Sequence, residues 1–363
     1  MKRNEKVSVK RLYALNLIRA LAVVMVVWDH SMRHDMDDDV FFLLKMLVNP
    51  DAVLFFMVSG ALLLPVRGSY AEFMRRRIVK VFVPYVVWVL GYAYMYYEFG
   101  ILNEYSLALQ IRWGWMSTNF MTGWFIPAIM SLYFVMPLIS PWIETATRRR
   151  FHYVLILWLL SGLLPWLEVI GGVNAMRTPL TLIATAVPYA IMGYYLTVYR
   201  NRQPLLPSYV LAQAGDGVEV TKARRRARWR KLAVLYVSMV GVGMVLPYVM
   251  LKSADTIDVE EVSTNCYGLP AIAMALLYFT LLIRVRTLGN AVDRVVNFVA
   301  RYSYGIYLSH WMIGGYMLPR YAPELSESTL WTFVVMMGGS VVVTWVLGRV
   351  PFLGRYIVGD VRR

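Results

Sequence analysis

Apolar stretches of about 20 residues recur along the whole chain, and no other feature restricts its fold so sharply. A helix rises about 1.5 Å per residue, so such a stretch crosses a hydrocarbon core of about 30 Å. Inside that core every backbone N–H and C=O must be satisfied, and a helix does this with its own bonds. Ten candidate helices result, at 12–30, 41–64, 78–97, 120–141, 151–169, 179–199, 232–251, 267–284, 302–319 and 329–348. Composition agrees: only 16% of the residues are charged, against about 25% in a soluble domain. The expected fold is an all-α polytopic membrane protein, with residues 1–363 forming a single membrane domain.

A net charge of +15 could suggest a nucleic-acid partner. The basic residues instead cluster in alternate loops, the positive-inside pattern, and no nucleic acid is expected. With ten helices, both termini are expected in the cytoplasm, and the acidic tract "DMDDD" at 35–39 outside. The N-terminus resembles a signal peptide, but its apolar region is too long and no small-x-small cleavage site follows. It is expected to remain as the first helix. The longest connection, 200–231, is expected to be a basic cytoplasmic loop. Its "KARRRARWRK" predicts a helix lying on anionic membrane lipids. The single cysteine, Cys266, excludes a disulfide within the chain and a thiolate metal cluster, and no metal site is expected.

Ionisable groups inside a bilayer cost about 2.5 to 3.5 kcal/mol each on insertion scales, which makes them functional candidates. Arg19 lies about 12 Å into the first helix, counted from Arg11. His30 follows eleven residues later. Eleven steps of about 100° make three turns plus roughly 20°, so the two share one stripe, about 16 Å apart along the axis. Similar depth counting puts Ser59 and His310 near the level of Arg19. It puts Asn49, Asp51 and Trp124 in an outer tier with His30, and Arg75, Arg76 and Arg77 at the inner mouth. Such a layout suits a polyanion with a long thin arm, phosphates on the arginines and reactive end toward the histidine. His34 and His152 have no partner argument. A small-residue packing notch is the plainer reading of Ser59-Gly60.

Five segments, "LNLIRALAVVMVVWDH", "AVLFFMVSGALL", "MRRRIVKVFVPY", "WFIPAIMSLYFVMPLI" and "YSYGIYLSHW", resemble the acyltransferase-3 family in order and spacing. The resemblance covers nearly the whole chain. It implies a ten-helix enzyme of the bacterial cytoplasmic (inner) membrane. Such enzymes move acyl groups, commonly acetyl, onto sugars of surface polysaccharides and related glycans. It implies that Arg19 and His30 carry the activity, and that Arg75 and Arg77, with Arg76 between them, help hold the donor. The donor implied is acyl-CoA, acetyl-CoA first, with no permanently bound cofactor. The acceptor implied is a glycan or lipid-linked sugar. Many members carry a further extracytoplasmic C-terminal domain; this chain ends at Arg363 and is expected to be a stand-alone membrane domain.

On this reading His30 acts as general base on an acceptor hydroxyl, or takes the acyl group first. Arg19 binds the donor or stabilises the developing oxyanion. A carboxylate could orient the imidazole. Asp29 points about 100° away, so Asp51 or Asp35 is the better candidate. A different class remains open from the residues: a transporter or flippase for a lipid-linked sugar, with the polar tiers lining its passage. Paired broken helices would favour it; the sequence has no such pairing.

Overall fold

The computed structural model describes residues 2–100, 124–171, 185–199, 218–253, 263–351 and 354–359. Every element among them is helical, and they contain no strand. In chain order the elements are α1 Lys2–Ser31, α2 Asp38–Val48, α3 Asp51–Leu63, α4 Tyr70–Arg77, α5 Val83–Glu98, α6 Phe125–Thr145, α7 Arg148–Gly171 and α8 Ala186–Tyr194. There follow α9 Val218–Val240, α10 Leu246–Ser253, α11 Leu269–Leu282, α12 Asn290–Trp311, α13 Leu318–Tyr321, α14 Pro323–Ser326, α15 Thr329–Leu347 and α16 Gly354–Ile357. Single π turns join α4 to α5 and α9 to α10, and follow α8 and α12.

Seven helical runs among the described residues are long and apolar enough to cross a membrane. They are Leu12–Ser31, Asp38–Leu63, Tyr70–Glu98, Phe125–Thr145, Arg148–Leu167, Trp229–Ser253 and Thr329–Leu347. Three other expected spans are also helical but differ in kind. Ala186–Val198 and Leu269–Leu282 are shorter apolar helices. The expected 302–319 helix lies inside α12 and its extension, and α12 starts earlier, with Asp293, Arg294 and Arg301 all ahead of the expected start. The expected 41–64 helix is divided at Asn49 and Pro50, between α2 and α3. Pro50 lacks an N–H and so cannot donate the next helical bond, although Asn49 before it keeps helical geometry. Of the basic connection, 200–217 lies outside the described residues, while 218–231 is helix running directly into the Trp229–Ser253 span.

α1 is the central helix. It packs against α3, α12, α15, α11 and α2, and 61% of its apolar window is buried. Trp229–Ser253 is peripheral, with 11% buried, and Val234, Val237 and Val249 face outward. α3 and α8 cross closely, because each supplies a glycine at the crossing. A Cβ on Gly60 would overlap the Ala190 carbonyl, and one on Gly193 the Met57 carbonyl. Such small-residue contacts let membrane helices approach to backbone distance.

The outer end of α1 is fixed from two sides. The Arg33 guanidinium donates to His30 O at 3.3 Å, Met32 O at 3.0 Å and Ser326 O at 3.1 Å. A cation there satisfies carbonyls that a helix end leaves open. Asp35 accepts from the Thr329 amide at 2.8 Å and from its hydroxyl at 2.5 Å. This ties the turn after α1 to the start of α15.

Candidate active site

Two helix stripes face each other at the centre of the molecule. On α1 they are Arg19 and His30. On α12 they are Ser303, Tyr307 and His310, whose spacings of four and three place them on one face. Arg19 donates from Nη2 to Ser303 Oγ at 3.2 Å. The His30 ring lies 5.1 Å from His310 and 5.2 Å from Trp311, centroid to centroid. Both pairs ascend in the same chain direction, so α1 and α12 run parallel here.

His30 Nδ1 lies 2.8 Å from Val26 O. A carbonyl only accepts, so in the neutral ring Nδ1 holds the proton and Nε2 is left as the basic nitrogen. No carboxylate is needed to orient the imidazole, because the preceding turn of its own helix does so. This replaces the expected role of Asp51 or Asp35. Asp35 is committed to Thr329 instead. His310 Nδ1 is held likewise, 2.6 Å from Tyr307 O.

His30 lines a chamber of about 260 Å³ with Asp29, Lys45, Asn49, Asp51, Trp124 and Cys266; it is named outer, and its neighbour inner, after the topology expected from the sequence. Lys45 pairs with Asp29 at 2.7 Å, and Asp51 accepts from the Ala52 amide. Asn49 donates to Ser263 O at 3.0 Å, which fixes the elbow between α2 and α3. Burial pushes the Cys266 thiol up to about 12, so it stays protonated and is no nucleophile at neutral pH.

Arg19 lines a second, inner chamber of about 270 Å³, with Ser59, Arg77, Lys80, Tyr133, Arg301 and Ser303. Tyr133 sits beside Ser59, Arg77 and Arg19. The Arg77 guanidinium lies 5.3 Å over the Phe73 ring and 5.7 Å over Tyr133. Its Nε is buried, with no hydrogen-bond partner among the described residues. Val358 and Gly359, just past α16, close one wall. Phe125 and Tyr307 line both chambers, and their rings touch at 4.9 Å.

The structure therefore brings together Arg19, Ser59 and Arg77 in one chamber, and His30, Asp29, Asp51 and Trp124 in the other. It separates the arginine triplet: Arg75 and Arg76 are exposed, and Arg76 pairs with Glu72 on its own helix. His310 stands beside His30 rather than level with Arg19. The depth count failed because α12 begins at Asn290, so Arg301 is not its first turn. His34 stacks on Phe41 at 4.6 Å, and His152 contacts the Tyr195 hydroxyl at 3.1 Å, both away from the chambers.

Sequence reasoning missed Lys45, Lys80, Tyr133 and the ring pair. Lys45 had a usable signal, a lone cation within the apolar run "FFLLKMLV". Ser303, Tyr307 and His310 were legible as one helical face. Phe125 and Tyr133 had none, since aromatic residues in membrane helices are common.

A central helix bearing a chamber-facing arginine and a backbone-anchored histidine, in a bundle of apolar helices, defines a multi-pass membrane protein. The family model described as an acyltransferase domain matches residues 12–349, and the chain belongs to that acyltransferase-3 family. No curated protein and no solved structure matches it.

Proposed function

We propose that this membrane acyltransferase moves an acyl group, acetyl first, from acyl-CoA to a hydroxyl of a cell-surface polysaccharide or lipid-linked sugar. The supporting observation is the division of charge between two adjoining chambers. Four cations, Arg19, Arg77, Lys80 and Arg301, line the inner one, and no carboxylate does so among the described residues. The outer one holds the imidazole base. Cations suit the phosphates of CoA, and a base suits a neutral hydroxyl.

In this reading the donor enters from the cytoplasmic side of a bacterial inner membrane. Arg77, Lys80 and Arg301 hold its phosphates, and Arg19, in the same chamber, holds the donor's pantetheine arm. His30 Nε2 takes the acceptor proton as the hydroxyl oxygen attacks the thioester carbon. The C–S bond breaks, and the CoA thiolate leaves with the proton returned by the imidazolium. A direct transfer and an acyl-His30 intermediate both use Nε2.

Two measurements test the proposal. Purified protein with acetyl-CoA and a sugar acceptor is expected to release free CoA thiol, and mass spectrometry of surface glycans is expected to show an acyl mass increment only when the protein is present. A carrier of lipid-linked sugars would give neither result.

A further inference from the structure

The two chambers adjoin at Phe125 and Tyr307, and nothing in the proposed reaction yet uses that pair. Both side chains are buried. Phe125 is held in a stack of its own, 5.3 Å from Phe56 and 5.7 Å from Phe55. Tyr307 lies 5.7 Å from His310, which stands beside His30. The pair is thus built into the wall around the histidine rather than hanging in open space.

Carbon atoms in contact lie about 3.5 to 4.0 Å apart. A methylene-like arm passing between two rings therefore needs ring carbons roughly 7 to 8 Å apart. With the rings in contact at a centroid distance of 4.9 Å, they must part by about 3.5 to 4 Å to admit even a thin chain. A branched chain requires more, and packed interiors resist each added methylene. A charge meets a second obstacle. It must leave the cations of the inner chamber, pass an apolar contact at high desolvation cost, and arrive where the one lysine, Lys45, is already paired with Asp29.

We infer that Phe125 and Tyr307 select the acyl group, admitting short, unbranched, uncharged acyl thioesters to His30 and refusing branched and anionic ones. The inference rests on the acyl-CoA reading above. In a donor whose phosphates sit in the inner chamber, the acyl group is the leading end. It crosses the ring contact before its carbonyl can meet Nε2. Width and charge are therefore tested at Phe125 and Tyr307, and length only afterwards by the outer chamber.

The experiment compares acetyl-CoA, isobutyryl-CoA and succinyl-CoA with the purified full chain, following free CoA thiol with methyl glucoside or water as acceptor. Wild type is expected to prefer acetyl over each of the others by at least about tenfold, the discrimination that one or two methylene-sized misfits give. Phe125→Ala is expected to raise the isobutyryl-to-acetyl ratio about tenfold, with the succinyl ratio still low because the desolvation cost remains. Phe125→Leu, which keeps apolar bulk in the stack, is expected to give a smaller rise in the same direction. It carries the test where the alanine variant does not fold. Equal use of all three donors by wild type, or ratios unchanged in a folded Phe125 variant, overturns the inference while leaving the acyl-CoA reading standing. Thiol release from none of the donors overturns both.

Discussion

The two chambers are nearly equal in volume, about 260 and 270 Å³, and opposite in chemistry. The inner one gathers guanidinium and ammonium groups with hydroxyls between them. The outer one balances a lysine against two carboxylates and adds an imidazole. An anion is welcome in the first and meets a lysine already paired in the second. Two sites of one size with different charge make a direction, and in the proposed reaction a neutral acyl group passes along it.

The sharpest break between the chambers is expected from His30→Ala. It should lower turnover by about a hundred- to ten-thousand-fold, the usual worth of a positioned base, while donor binding by calorimetry changes little. Arg19→Ala should raise the donor KM about ten- to a hundredfold, the worth of a buried hydrogen bond to a charged group. If instead kcat falls and the donor KM is unchanged, Arg19 stabilises charge in the reaction and does not merely bind. Arg77→Ala should raise the donor KM about tenfold, the value of one hydrogen bond to a charged group, with kcat near normal. Arg76→Ala, at an exposed ion pair, should change either constant less than about twofold. Equal effects at 76 and 77 would mean that the exposed arginine also holds donor.

The smallest effect concerns the turn that holds the end of α1. The Thr329 hydroxyl and amide hold the Asp35 carboxyl below its usual range. A carboxylate with a depressed folded value stabilises fully above its unfolded value of about 3.9 and loses that contribution as pH falls through the folded value. Thermal unfolding in detergent should show wild type more stable than Asp35→Asn at neutral pH. The gap should narrow as pH drops below about 4. A gap independent of pH would show that the bond to Thr329 does not depend on the charge.

Much of this was legible in the sequence because helices are periodic. Arg19 and His30 could be placed on one stripe from their spacing alone, and Ser59 could be brought near Arg19 by counting from the next turn. Gly60, not Ser59, proved to be the packing notch, so adjacent residues divided two roles that the pattern offered together. What stayed hidden depends on where helices begin and how they face. His310 was misplaced because an amphipathic extension precedes the apolar part of α12. Arg75 and Arg76 could not be told from Arg77, since the face a helix presents inward is set by its neighbours. The carbonyl that anchors His30 is invisible to any search for carboxylate partners.

The bond from Arg19 to Ser303 spans 284 residues of chain. At about 5 to 20 residues per second, roughly 15 to 60 seconds of synthesis separate the two. For that interval the first helix exists without the helix that completes its polar stripe. An arginine in lipid costs about 2.5 to 3.5 kcal/mol. The residue proposed to bind the donor is therefore left in lipid without its partner while the protein is being made, and its placement waits on a helix synthesised 284 residues later.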